Sequence, residues 1–195
     1  MALGKQAKAL SKAQVEGALC YVARTRYPLR NRVILLLSVK AGLRAKEIAS
    51  LTWDMVTSAD GEVGDAIHLR DVASKGRSGR VIPLNRELRA TLIELRASKL
   101  RGRPSPFVVT TERSVSTSPH AIVVTIAKWY RALGYAGCSS HSGRRTFITN
   151  TARKISTVGG SLRDVQVLAG HSALSTTQRY IESDAAAQRK VVQLV

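Results

Sequence analysis

The sequence predicts a mostly α-helical fold carrying one small antiparallel β-sheet, an α+β class. Three observations lead there. Apolar residues recur at helical spacing through most of the chain, whereas residues 60–84 switch to short β-type runs between turn signals. The 195 residues are 44% hydrophobic and 23% charged, the composition of an ordinary globular protein. A chain of that length buries about 70% of its unfolded surface, so its core needs neither disulfide nor metal.

The elements follow in order. Residues 1–10 are basic and weakly patterned and read as a flexible arm. Ser11 is a suitable N-cap for a helix to about Ala23, with Val15, Ala18, Leu19 and Val22 on one face. Pro28 breaks that pattern. A helix that is apolar nearly all round runs from Leu29 to Ala41 and stops at Gly42, which marks it as a core helix. A third helix places Ile48 and Leu51 inward. Asp60-Gly61 is a turn, Ala66 to Leu69 a strand, Gly76 to Gly79 a second turn, and Arg80 to Leu84 the partner strand. Helix returns after Asn85 with Leu88, Leu92 and Leu95 at helical spacing. Residues 101–106 form a loop and Phe107 to Val109 are extended. Further helices are expected at 119–133, 141–154, 162–169, 176–182 and 184–194. The expected organisation is an arm (1–10), one catalytic domain (11–183) and a C-terminal tail (184–195).

Charge narrows the function classes. Thirty-one Lys and Arg against 13 Asp and Glu leave a formal net charge of +18, which points to a polyanion, nucleic acid before an anionic membrane. The most strongly apolar run, Val33 to Leu37, is far short of the roughly 20 residues that span a bilayer. The N-terminus carries lysines without an apolar stretch behind them, so no signal peptide is expected and no membrane partner. Cys20 and Cys138 lie far apart with no Cys/His cluster; they read as buried small hydrophobes in a reducing compartment, and no metal site is expected. The expected location is cytoplasmic, with the nucleoid.

Chemistry concentrates in the C-terminal half. His68 on a strand and His120 at a helix start have no catalytic neighbour in sequence. His141 precedes Arg144 by three residues, so a helix capped by Ser139 or Ser140 puts both near its anion-favouring N-terminus. A guanidinium clamps two phosphate oxygens while an imidazole beside it moves a proton. On spacing alone, a solvated helix face explains the pair as well. Ser161 to Asp164 opens a helix with a capping box that Gly170 ends, which presents His171 just beyond a helix terminus. Ser175 to Gln178 reads as another capping box, with Tyr180 in the second turn of the helix that follows. An amphipathic packing residue is the competing reading for Tyr180.

These residues together resemble the catalytic domain of the tyrosine recombinases, or phage integrases. The resemblance rests on Ala41-Gly42-Leu43-Arg44 with Glu47, Leu51 and Trp53; on Ser74-Lys75-Gly76 with Arg80 to Leu84; on His141-Ser142-Gly143-Arg144-Arg145-Thr146; and on Leu168-Ala169-Gly170-His171 with Thr176, Thr177 and Tyr180. It covers about residues 30 to 185, with the motifs in the family's order and His171 nine residues before Tyr180. It implies that Tyr180 attacks a DNA phosphodiester, forming a 3′-phosphotyrosyl bond and freeing a 5′-hydroxyl, with no cofactor or metal. A tyrosine of ordinary pKa, about 10, needs a base and a cationic setting for this. By the resemblance Arg44 and Arg144 hold the non-bridging oxygens, Lys75 protonates the leaving 5′-oxygen, His141 is general acid/base, and His171 hydrogen-bonds the phosphate. Glu47 matches an acidic position that orients the site.

The implied partners are double-stranded DNA, a homotetramer assembled on it, and an accessory DNA-bending or clamp protein. Two departures stand out. Gly143 occupies a position where the family usually has Leu, which predicts a looser helix start. Only about 30 residues precede the match, so the family's N-terminal core-binding domain is expected to be missing, with charge, an arm bearing Lys5, Lys8 and Lys12, or an accessory protein in compensation. The tail after residue 184 corresponds to a segment that packs into a neighbouring protomer in the family. The expected activity is site-specific integration, excision or inversion of a mobile element. The alternative is a catalytically silent DNA-binding or regulatory protein of the same fold; a topoisomerase-like or telomere-resolving outcome and an RNA-binding role rank lower.

Overall fold

A computed structural model describes residues 7–71, 79–99, 104–180 and 192–193. The expected mixture of helices and one two-stranded antiparallel sheet is what it shows. Helix α1 (Lys12–Val22) starts with a complete capping box: Ser11 Oγ accepts from the Gln14 N–H, and Gln14 Oε1 accepts from the Ser11 N–H. The residues just before it are packed, which shortens the expected arm. The Lys8 N–H donates to the Gly137 carbonyl, and buried Leu10 donates its N–H to Thr146 Oγ1 at 2.7 Å.

Helix α2 (Pro28–Lys40) is the core helix that its apolar run predicts. Pro28, expected as a breaker, is its first residue, where the missing N–H is harmless. Val33 to Leu37 are buried, and α1, the third helix α3 (Ala45–Ser50), the helix α4 (Arg86–Lys99) and the helix α6 (Ser142–Lys154) all pack around α2. Gly42, at φ +65°, reverses the chain between α2 and α3, and a side chain there would run into the Phe147 ring.

Strands β1 (Ala66–Leu69) and β2 (Arg80–Pro83) pair in the register Ile67 to Ile82 and Leu69 to Arg80. Ile67, Leu69, Ile82 and Arg80 all turn inward, so a guanidinium occupies an apolar face. Thr52 bridges to Phe107, and α5 (Pro119–Ala132), capped by Ser118, closes over α3 and α1.

A smaller core of Ile148, Val165 and Ala169, flanked by Phe147, Leu162 and Tyr180, joins α6 to α7 (Leu162–Ala169). Helix α8 (Leu174–Gln178) starts earlier than expected, with Ala173 as its N-cap and no side-chain cap from Ser175. Tyr180 therefore lies in the turn after the helix, not within it. Cys20 is exposed on α1 rather than buried, and Cys138 is half-buried. The turn at 76–78, the loop at 101–103 and the tail helix expected at 184–194 (residues 192–193 apart) lie outside the described residues.

Candidate active site

The site is built around a buried carboxylate. Glu47, three residues into α3, has a fully buried side chain. Its Oε2 accepts from the Arg44 N–H at 2.8 Å, and Oε1 accepts from Arg44 Nη1 at 2.9 Å. A second guanidinium, Arg80 from β2, donates Nη1 and Nη2 to the same two oxygens at 3.1 Å each. Burial opposes ionisation of Glu47, but the hydrogen bonds and charge of Arg80, with those of Arg44, outweigh it and hold the carboxyl below its usual range.

Arg144 stands in the first turn of α6, 4% exposed. Its Nη1 donates to the Gly42 carbonyl at 2.7 Å and its Nη2 to the Ala169 carbonyl at 2.6 Å. It thus ties the α2–α3 turn to the end of α7, using two of the five N–H groups that a guanidinium carries. Burial, then the charge of Arg44, lowers its pKa to about 10, which still leaves it cationic at neutral pH.

His171 follows Gly170, which caps α7 at φ +63°. The backbone on both sides of the ring is held: the His171 N–H donates to the Gln166 carbonyl and its own carbonyl accepts from Gln166 Nε2 at 2.8 Å. Nδ1 lies 2.9 Å from Thr177 Oγ1. Burial, followed by the charges of Arg144, Arg44 and Arg80, pushes the imidazole pKa down to about 4. At neutral pH this histidine is an uncharged hydrogen-bonding group.

Tyr180 meets the cluster from the turn after α8. Its ring stacks on His171, centroids 5.5 Å apart and planes at 24°. The Arg145 guanidinium carbon lies 5.7 Å from the same ring centroid. The Tyr180 carbonyl accepts from Thr149 Oγ1 of α6 at 3.1 Å. So the helix carrying Arg144 also holds the tyrosine.

Of the residues singled out in sequence, Arg44, Glu47, Arg144, His171 and Tyr180 come together. His141 is the exposed N-cap of α6; among the described residues no hydrogen bond or ring contact joins its side chain to them. Lys75 lies outside the described residues. Sequence reasoning placed Arg80, Arg145 and Thr177 within the motifs but gave none of them a role, preferring Arg144 to its neighbour Arg145. Arg80 had a legible signal, since strand alternation puts it on the face of Ile82. Gly143 does not loosen α6. A Cβ there would lie 2.9 Å from the Ser38 Cβ and 3.1 Å from Val39 Cγ1, so glycine permits α6 to lie directly on α2.

The helical fold with its two-stranded sheet is that of the tyrosine recombinase catalytic domains. The chain belongs to the phage integrase family, whose model matches residues 8–187. It is 34% identical over 186 residues to tyrosine recombinase XerD of Pseudomonas aeruginosa, covering 89% of this chain and 56% of that protein. It is 30% identical to tyrosine recombinase XerA of Pyrococcus horikoshii, covering 89% and 57%. The chain thus spans about half the length of the curated relatives it matches. Among solved structures, the XerA recombinase superposes with a TM-score of 0.75 at 22% identity, over 95% of this chain and 64% of that one. The Tn1549 transposon integrase in complex with a circular intermediate DNA gives 0.76 at 15% identity, over 99% and 67%. Those two likenesses establish the fold.

Proposed function

We propose that this chain is a tyrosine site-specific recombinase domain that cuts and rejoins double-stranded DNA. The observation that carries the reading is Tyr180 stacked on a neutral, buried His171 beside the Arg44–Glu47–Arg144 cluster. Tyr180 Oη attacks the scissile phosphorus, and the bond from phosphorus to the 5′-oxygen breaks. The product is a 3′-phosphotyrosyl bond plus a 5′-hydroxyl, whose oxygen takes its proton from Lys75. Arg44 and Arg144 stabilise the charge gathering on the non-bridging oxygens, where a fixed cation out of water is most effective. His171, uncharged, hydrogen-bonds a phosphate oxygen, and His141 at the start of α6 exchanges the tyrosine proton. A second 5′-hydroxyl reverses the attack and reseals the strand, so no external energy source enters.

The reading extends to residues 11–183 as one catalytic unit, to a homotetramer on DNA, to an accessory DNA-bending or clamp protein, and to action at the nucleoid in the cytoplasm. DNA-bound relatives support the partner: the Tn1549 integrase and the XerH recombinase, the latter bound to its difH substrate after cleavage, superpose with TM-scores of 0.76 and 0.73. Among the described residues no helix is long and apolar enough to cross a membrane.

The test is a duplex nicked beside the cleavage position, drawn from DNA flanking the gene, with wild type compared to Tyr180→Phe. The expected result is a denaturation-resistant protein–DNA adduct with wild type only, while both proteins bind the duplex. Tight binding with no adduct, in the presence of cell extract as well, replaces the enzyme with a silent DNA-binding protein.

A further inference from the structure

Arg80 has a place in the cluster that its role in the sheet does not require. It sits on the inward face of β2, with only 3% of its side chain exposed. Its two Nη atoms grip Glu47, and its Nε donates to the Leu168 carbonyl at 2.9 Å. That carbonyl belongs to the last turn of α7, where helix carbonyls have no partner within the helix and a cation is favoured. Gly170 lies directly against the same guanidinium: a Cβ there would come within 2.8 Å of Arg80 Nη1. His171 is the next residue. One planar fork therefore joins the sheet, the Arg44–Glu47 pair and the turn that presents the histidine.

We propose that Arg80 is a positioning residue for the Tyr180 reaction, fixing His171 against the nucleophile by locking α3 and the end of α7 to strand β2. The inference rests on the recombinase reading given above. Arginine is required by geometry. A lysine keeps a charge opposite Glu47 but offers its protons from a single nitrogen, so it cannot hold both carboxylate oxygens and the Leu168 carbonyl in one plane. With that lock lost, the end of α7 shifts, and with it the stacking of His171 on Tyr180.

The test is Arg80→Lys in the full chain, read three ways: duplex binding, adduct formation on the nicked duplex, and the ¹⁵N signals of the His171 imidazole without DNA. The expected outcome is a folded protein with wild-type duplex affinity and adduct formation slowed by about ten- to a hundredfold, the scale of a small misplacement at a reacting centre. The His171 signals should also leave the pattern of a neutral ring hydrogen-bonded at Nδ1. A wild-type rate per folded molecule, or unmoved His171 signals, overturns the proposal. Should Arg80→Lys not fold, Arg80→Met with Glu47→Gln removes both buried charges and is compared with Glu47→Gln alone; additional movement of the His171 signals in the double variant supports the proposal, and none overturns it. If wild type itself forms no adduct, the recombinase reading fails separately. The His171 signals then still decide whether Arg80 holds that ring.

Discussion

Gly143 of α6 faces Ser38 of α2 so closely that no side chain fits between them. A Cβ on Gly143 would sit 2.9 Å from the Ser38 Cβ and nearer still to its Oγ, and both residues are fully buried or nearly so. The contact sets the depth at which α6 lies on the core helix, and so where Arg144 emerges.

Gly143→Ala should therefore destabilise the protein by about 1–3 kcal/mol, since overpacking at a rigid helix crossing outweighs the gain of roughly 1 kcal/mol in helix propensity. Ser38→Ala removes a buried hydroxyl that has no hydrogen-bond partner among the described residues and should leave stability equal or higher. Urea unfolding of both variants checks the pair; a stabilised Gly143→Ala would refute the close approach.

The pH dependence of stability should carry the signature of His171. Its folded pKa, about 4, lies below its ordinary 6.5, so the unfolded chain binds more protons between those values. The contribution is complete above about pH 6.5 and is lost as pH falls towards 4. Glu47, held below its ordinary 4.5, loses its own contribution only beneath that point. His171→Asn should flatten the unfolding midpoint between pH 6.5 and 5 and leave the acid limb standing. An unchanged slope in that upper window would show that the imidazole titrates normally.

Arg144 does two jobs that a single variant cannot separate but two can. Arg144→Ala strips the Gly42 and Ala169 carbonyls of their donors and should cost about 2–4 kcal/mol. Arg144→Lys keeps the charge and reaches one of them, so it should fold with a smaller loss yet form little adduct. Equal adduct yields for wild type and Arg144→Lys would remove the bidentate role of this residue in the reaction.

Duplex binding should weaken steeply with salt. If the surplus of 18 positive charges engages about six phosphates, the slope of log affinity against log salt is about −5. Fluorescence anisotropy across a salt series measures it, and a slope near zero would mean that the basic surface is not the DNA-binding surface.

Much of this was legible in the sequence where signals were local. The Ser11 N-cap, the Ser161–Asp164 box and the helix end at Gly170 depend on residues a few positions apart, and all stand as read. The Ser175–Gln178 pattern satisfied the same rule and misled. Thr177 is buried with its Oγ1 on His171 Nδ1, and the Tyr180 carbonyl is taken by Thr149, so tertiary bonds rather than the cap set where α8 begins and ends. Arg44, Arg144, His171 and Tyr180 were legible as a set because motifs fix residue types and order. For Arg80, strand alternation marks the inward placement alone; its role acquires meaning only when its partner, Glu47, is seen 33 positions away. Gly143 looked like a weakness in one helix, and its reason lies in another.

The crowding of guanidiniums has a consequence for the protein at rest. Arg44 and Arg80 both disfavour the charged form of Arg144, and Glu47 only partly offsets them. An anion held among these guanidiniums would ease that repulsion. Occupancy and thermal resistance become two readings of one linkage, so polyanions should protect this chain from heat and proteases in proportion to how fully they fill the site.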